Sequence, residues 1–449
     1  MSAPRDGIAQ QGGRLKGVVQ AALEEARRLG ASSAEASANL SQGLALTVRL
    51  GEVETVEHTR DQGLAVTVFF GQRTGSASTS DLRPEAVRES VRAAASIARF
   101  TAEDPYAGLP DLAALAREIP DLDLYHPWRP GTDEAIARAV RCEDTARAVD
   151  PRISNSEGAS LSAYEAVEAY GNSLGFLADT PYTRQSLSCA VIAEDASGNM
   201  QRDYWYSTAR AVEDLEPETV IGRRAAERTL RRLNGRKLDT RKAAVLFEAP
   251  VATSLLGHFI GAIRGASLYR GASFLLNQLG QPVFAPHVRI HEQPFLKRGL
   301  GSTPFDSEGV APRNRDIVKD GVLQGYVLDT YSARKLGMQT TGNSGGVHNL
   351  TLESGAQDFD ALLRTLGTGL LVTELIGFGV NTVTGDYSRG AAGFWVENGV
   401  IAYPVEEITI AGRLQDMFRH IVAVGRDIDT RGNIRCGSIL IENMTIAGS

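Results

Sequence analysis

The amino-acid sequence predicts an α+β protein: two small N-terminal α+β units and a larger, β-rich C-terminal domain enclosing a buried helix. Three observations carry this. In FEAPVATSLLGHFIGAIRG, residues 247–265, the apolar residues Val251, Leu255, Phe259 and Ile263 recur every four positions behind a proline, the pattern of a helix with a wide apolar face. Most of the chain around it alternates β-branched and polar residues between glycines, the period of strands. Two polar or Pro-rich stretches, residues 101–130 and 234–242, interrupt these patterns and mark boundaries.

In chain order, the Gly- and Gln-rich first dozen residues are expected to fray. Leu15, Val18, Val19, Leu23 and Ala26 then line one face of a helix ending at Gly30. LALTVRLGEVETVEH and GLAVTVFFGQRTGSAST read as strands broken at Gly51, Gly63 and Gly71. Asp81 is expected to cap a helix that carries Val87, Val91, Ala94 and Ala98, which closes a first unit over residues 1–100. Prolines at 105, 110, 120, 127 and 130 make residues 101–130 an extended connector, with Tyr125, His126 and Trp128 read as packing it down.

The middle unit, residues 131–235, opens with a helix over 133–149, continues through strands near 160–170, 185–194 and 201–211, and closes with a helix over 218–233. The arginines at 223, 224, 228, 231 and 232 lie among acidic residues and without interleaved aromatics, so they read as a solvated helix face and not as an RNA contact. From 242 to 449 the chain is Gly-rich: LQGYVLD, LLVTELIG, AAGFWVENGVIAYPV and EITIAG read as strands, ENG as a hairpin turn, and a short helix is expected near 329–336. The resulting sheets are expected to be largely antiparallel.

The 449 residues are enough for several cores, and 43% hydrophobic with 22% charged residues is ordinary for a globular chain. A net charge of −7 disfavours nucleic acid and anionic membranes as partners. The N-terminus has no apolar signal region, no run is long enough to span a bilayer, and Cys142, Cys189 and Cys436 form no CxxC pair. A cytoplasmic protein without disulfides is the expectation.

Several long segments, GHFIGAIRGASLYR, LDTYSARKLG, GNSGGVHNL, TGDYSRGAAGFWVENG, PVEEITIAG and RGNIRCGSILIE, together resemble the TldD/PmbA family of metalloproteases, in its PmbA (TldE) branch. The TldD branch carries His-Glu-x-x-x-His on the central helix and a further ligand cysteine near its C-terminus. By that resemblance His258 matches the first zinc ligand, Phe259 replaces the glutamate, Ile263 replaces the second histidine, and Cys436 lies in the cysteine-bearing segment. The resemblance implies a subunit that binds no zinc, paired with a TldD-type paralogue that holds it. A homodimer is expected when the chain is alone, and the substrates are expected to be peptides or unfolded proteins. The segment GDYSRGAAG is suited to a close backbone approach, with Tyr387 and Arg389 as peptide-contacting side chains.

Two alternatives stay open. An autonomous metallopeptidase would need an atypical site, because His291-Glu292 is followed by Phe295 and Leu296 where a second histidine belongs. A serine hydrolase would use Ser344 in Gly-Asn-Ser-Gly-Gly with His348, yet a nucleophile elbow requires a helix after the serine and VHNLTLESG reads as a strand.

Overall fold

The computed structural model describes residues 7–448. Six antiparallel strands dominate the N-terminal part. The first half supplies β1 (Ser33–Arg49), β2 (Glu52–Phe70) and β3 (Arg73–Thr79); the second supplies β4 (Asn155–Asn172), β5 (Leu177–Glu194) and β6 (Met200–Ala209). They form one sheet in the order β3-β2-β1-β4-β5-β6, because β1 pairs with β4 from Glu35↔Asn172 to Val48↔Ala159. The two N-terminal units are thus halves of a single sheet, each with its own helices. Even-numbered β1 residues point to one face. Ala34 to Leu40 meet α1 (Gly12–Arg28) and α2 (Pro84–Phe100), while Leu44 to Val48 meet α3 (Thr132–Arg147) and α4 (Glu218–Leu230). The strand period of two makes one long strand a wall for both cores.

Several local expectations are corrected. Gly63 does not break a strand; it lies inside β2, paired with Asn39 of β1. The other two expected breaks are present: Leu50-Gly51 turns β1 into β2 and Gly71 turns β2 into β3, all three residues at positive φ. Asp81 is not the helix cap: Arg83 holds that position, and Asp81 accepts from the Arg83 N–H in a local turn. Of the N-terminal stretch, Met1 to Asp6 lie outside the described residues; Ile8–Gln11 form a 3₁₀ turn with Ile8 buried against the first core. In the connector, Tyr125 donates to Glu165 and Trp128 packs on the second core under Arg138.

The C-terminal domain opens with β7 (Arg241–Phe247), α5 (Ala249–Ile263), which is the central helix, and α6 (Gly265–Tyr269). There follow β8 (Ile290–Glu292), β9 (Arg315–Lys319), β10 (Val322–Leu323), α7 (Thr330–Lys335), β11 (Leu350–Leu352) and α8 (Phe359–Leu366). The chain ends with β12 (Gly369–Ile376), β13 (Asp386–Glu397), β14 (Val400–Arg413), α9 (Leu414–Arg419), β15 (Ile421–Val424), β16 (Ile434–Arg435) and β17 (Ile439–Ala447). One sheet runs β14-β13-β12-β7-β17-β15, and a smaller one runs β10-β9-β8-β11-β16. The β13–β14 turn is Asn398-Gly399 at positive φ, the hairpin the sequence signals. LQGYVLD contributes only the end of β10, and β7 runs parallel to β12. Helices α8 and α9 have no counterpart in the sequence reading.

Helix α5 packs between these sheets in the largest core. Val245 and Phe247 of β7, Leu370 and Val372 of β12, and Ile439 and Ile441 of β17 face it, whereas Leu246, Leu371 and Leu440 face α8 on the other side. Strands covered on both faces read as unbroken apolar runs, which is why α8 is invisible as a partner in the sequence of β7.

The arginines of α4 are not a solvated face. Arg223 and Arg224 are exposed, but Arg228 is buried, 3.3 Å from Asp203 and 2.9 Å from Glu248; Arg231 reaches Glu248 at 3.2 Å. Arg232 bridges to Asp203 at 3.6 Å and to Glu374 at 2.5 Å. Asp203 belongs to β6, Glu374 to β12, and Glu248 immediately precedes α5. The cluster therefore clasps the N-terminal sheet to the central helix. Removing one partner of a buried ion cluster leaves charges unpaired. We expect Arg228→Met to lower stability by about 3–5 kcal/mol, while Arg223→Met shifts it by under about 0.5 kcal/mol, both read from chemical-denaturation midpoints.

Candidate functional site

Helix α5 starts at Ala249 with Pro250 in its first turn, where a missing N–H costs nothing. Its Ala249 N–H is taken by Ser438 Oγ at 3.0 Å, and Ser438 Oγ in turn donates to Asp427 at 2.6 Å. Phe259 is fully buried, edge-on to Phe284 and Phe418 at centroid distances of 4.9 and 6.0 Å. Ile263 is also fully buried in that core. One residue is about 100° around a helix, so His258 leaves this core and turns toward β13, its ring edge-on to Tyr387 at 6.0 Å.

Tyr387 and Arg389 are two apart on β13 and share the face that Ala391 turns into the central core. His258, Tyr387 and Arg389 thus come together. His258 Nε2, Tyr387 Oη and Arg389 Nε are buried and have no hydrogen-bond partner. Burial, reinforced by the Arg389 charge, holds His258 below its ordinary pKa; burial pushes the Tyr387 phenol up. At neutral pH the site therefore presents a neutral imidazole, a protonated phenol and a guanidinium.

Cys436 is not part of this group. It is fully buried with its Sγ 4.0 Å from the carbonyl of Ala249, roughly nine residues and ~13 Å of helix axis before His258. Burial and then the neighbouring Asp429 and Asp427 raise its pKa, which disfavours the thiolate a metal would need. Among the described residues no three His, Cys, Asp or Glu side chains converge on one point. A zinc site needs three or four such ligands; here the charged neighbour of His258 is a cation, and hydrocarbon fills positions 259 and 263. These residues do not fit a zinc ion.

The other candidate residues have structural partners. Glu292 is buried and paired with Arg315 at 3.0 Å; it also accepts from Asn343 Nδ2 and the His348 N–H, each at 2.7 Å. His291 lies beside Gln293 Oε1 at 3.1 Å. His348 bonds through Nε2 to the Gly342 carbonyl at 3.0 Å, not to Ser344. The Ser344 N–H donates to Asp306 at 2.9 Å, and β11 follows the loop. Gly342, Gly345 and Gly346 all have positive φ; this is a glycine turn ahead of a strand. Neither elbow nor helix is formed for a serine nucleophile. Asp306, which sequence reasoning missed, is buried and pushed up to about 7 by that burial, although three backbone N–H groups favour its charged form. It organises the turn and lies on a cleft of about 550 Å³ between the N-terminal sheet and residues 300–307.

The fold is an α+β chain built around one buried central helix, α5, with no metal-ligand cluster among the described residues. The sequence matches three family models end to end: PmbA/TldA metallopeptidase domain 1 over residues 34–98, the central domain over 125–233 and the C-terminal domain over 240–448. The chain belongs to the PmbA/TldD metallopeptidase family, in its PmbA (TldE) branch. It is 51% identical over 434 residues to the metalloprotease PmbA of Escherichia coli O157:H7, covering 97% of this chain and 96% of that protein. A TldD homolog of Haemophilus influenzae is 25% identical over 374 residues, 78% of this chain and 77% of that one. The crystal structure of TldE from Thermococcus kodakarensis superimposes with a TM-score of 0.85 at 20% identity, over 96% of this chain and 100% of the other, a likeness of fold. No helix among the described residues is long and apolar enough to cross a membrane.

Two outcomes follow from this geometry. Phe259→Leu should cost under about 1.5 kcal/mol, whereas Phe259→Glu, which places a carboxylate in this core, should cost more than about 3 kcal/mol by burying an unpaired charge; thermal unfolding separates them. His348 is held below the ordinary histidine value of 6.5 by burial, so on acidification the unfolded chain takes up that proton first and the stability is lost below that value. His348→Gln should therefore lose less stability than the parent between about pH 7.5 and pH 5.5, the difference between the two chains being the readout.

Proposed function

We propose that this chain is the non-catalytic, PmbA/TldE-type subunit of a cytoplasmic metalloprotease whose zinc is held by a TldD-type partner, and that it shapes or gates the site where peptides or unfolded proteins are cut. The observation that carries this reading is the divided surface of α5. Phe259 and Ile263, which replace a general base and a ligand, are sealed in the core, while His258 faces Arg389. A peptide-cleaving zinc needs an open coordination position and a nearby carboxylate to activate water, and this helix supplies neither. Similarity to TldD-type chains over most of the length supports a pseudo-symmetric heterodimer, since paralogous subunits inherit related contact surfaces.

Metal analysis after mild purification tests the first half. The expected result is no stoichiometric zinc in either the parent chain or His258→Ala, and no cleavage of peptides by the isolated chain. One zinc per chain that vanishes in His258→Ala, together with chelator-sensitive proteolysis by the pure chain, would overturn the non-catalytic reading. Sizing the chain alone and mixed with a TldD-type paralogue tests the second half, with a mixed dimer expected. Two species eluting unchanged from the mixture would refute the partnership.

A further inference from the structure

We infer that His258, Tyr387 and Arg389 form a binding site for a carboxylate group. Three observations point to a ligand. First, Tyr387 is 1% exposed, yet its hydroxyl has no partner, and His258 Nε2 and Arg389 Nε beside it are likewise buried and unpaired. A buried polar group left unpaired is costly, and three orphans gathered from a helix and a strand are rare in a settled core. Second, among the described residues Arg389 has no carboxylate to pair with, while its charge acts on both His258 and Tyr387. The site therefore repels cations and attracts an anion. Third, its outer edge is apolar. Val380 bridges to Tyr387, and in the same β12–β13 connection Phe378 is fully exposed and Val383 more than half exposed.

The chemistry selects within the anions. One guanidinium matches a singly charged carboxylate, and its planar fork together with a phenol donor suits two coplanar oxygens. A phosphate dianion would enter with charge uncompensated. The apolar edge favours an organic ligand whose carboxylate sits beside a hydrophobic side chain, as at the end of a peptide. That the ligand is a peptide rests on the function proposed above; that it is a carboxylate rests on the three side chains alone.

The test uses the intact chain without any partner, so a failure of assembly leaves it untouched, and its own failure leaves assembly untouched. Binding of N-acetyl-Ala-Leu-Phe with a free carboxylate is compared by titration calorimetry or ligand-detected NMR with the same peptide amidated, with N-acetyl-Ala-Asp-Leu-amide, and with inorganic phosphate. The free acid is expected to bind at least about ten-fold tighter than its amide, the size of one charged hydrogen bond. Tyr387→Phe and Arg389→Gln are each expected to weaken it by about ten-fold or more, with Arg389→Lys recovering part of the loss. Binding of the aspartyl peptide in place of the C-terminal acid would support the site and assign an internal carboxylate as its ligand. Tyr387→Phe removes an unpaired hydroxyl, so its unliganded melting temperature should hold or rise; a fall would mark a purely structural role and count against the site. Equal binding of acid and amide, preference for phosphate, unchanged binding in the variants, or no binding of the acid up to about 10 mM would each overturn the inference.

Discussion

The burial of α5 between two sheets is the constraint on which the other features depend. Its apolar stripe is the surface on which β7, β12, β13 and β17 close from one side and the smaller sheet from the other. Burying one large side chain such as Phe259 contributes about 2–3 kcal/mol, and the stripe repeats that gain at every turn. The helix start is fixed by polar contacts instead: Ser438 takes the Ala249 N–H, and Glu248 receives Arg228 and Arg231 from the N-terminal sheet's own helix. One element therefore anchors the C-terminal core and ties the two parts of the molecule together.

This arrangement explains why the helix carries two unlike surfaces. Residues committed to the core, Phe259 and Ile263, have no freedom to act on a ligand, because a polar group there would be buried without partners. The strip that escapes the core meets β13, and there three unpaired polar atoms, on His258, Tyr387 and Arg389, come together. By contrast the Glu292–Arg315–Asn343 network is paired throughout. Both are buried and polar, but a satisfied network holds a loop in one geometry, and an unsatisfied one is available to something else.

The long strands of the N-terminal sheet serve a different end. A single sheet carrying two helix pairs on one face gives the second face to the C-terminal domain: Tyr170 and Phe176 pack on Phe305, and buried Arg210 donates to the carbonyls of Gly299 and Leu300. The cleft lined by Tyr182, Arg184 and Asp306 lies along this junction. The connector is part of the seam, since Arg334 reaches back to the carbonyls of residues 106, 108 and 109.

By itself the sequence determined what is local. The four-residue period located α5, alternation located the long strands, Asn398-Gly399 located a hairpin, and the hydrocarbon side chains at 259 and 263 beside His258 were readable without coordinates. Family resemblance placed His258 and Cys436 in one degenerate site, and the glycines of GDYSRGAAG, suited to a close backbone approach, drew attention to Tyr387 and Arg389. Tertiary structure alone decided who meets whom. It set Cys436 at the start of the helix and His258 far along it, turned Arg389 toward His258, and took Arg228 from a helix that looks solvated into contact with Asp203 and Glu248. It also fused two apparent units into one sheet through β1 and β4, more than a hundred residues apart. Periodicity reports which face of an element is buried but not against what, and charge, burial and ligand chemistry all depend on that neighbour.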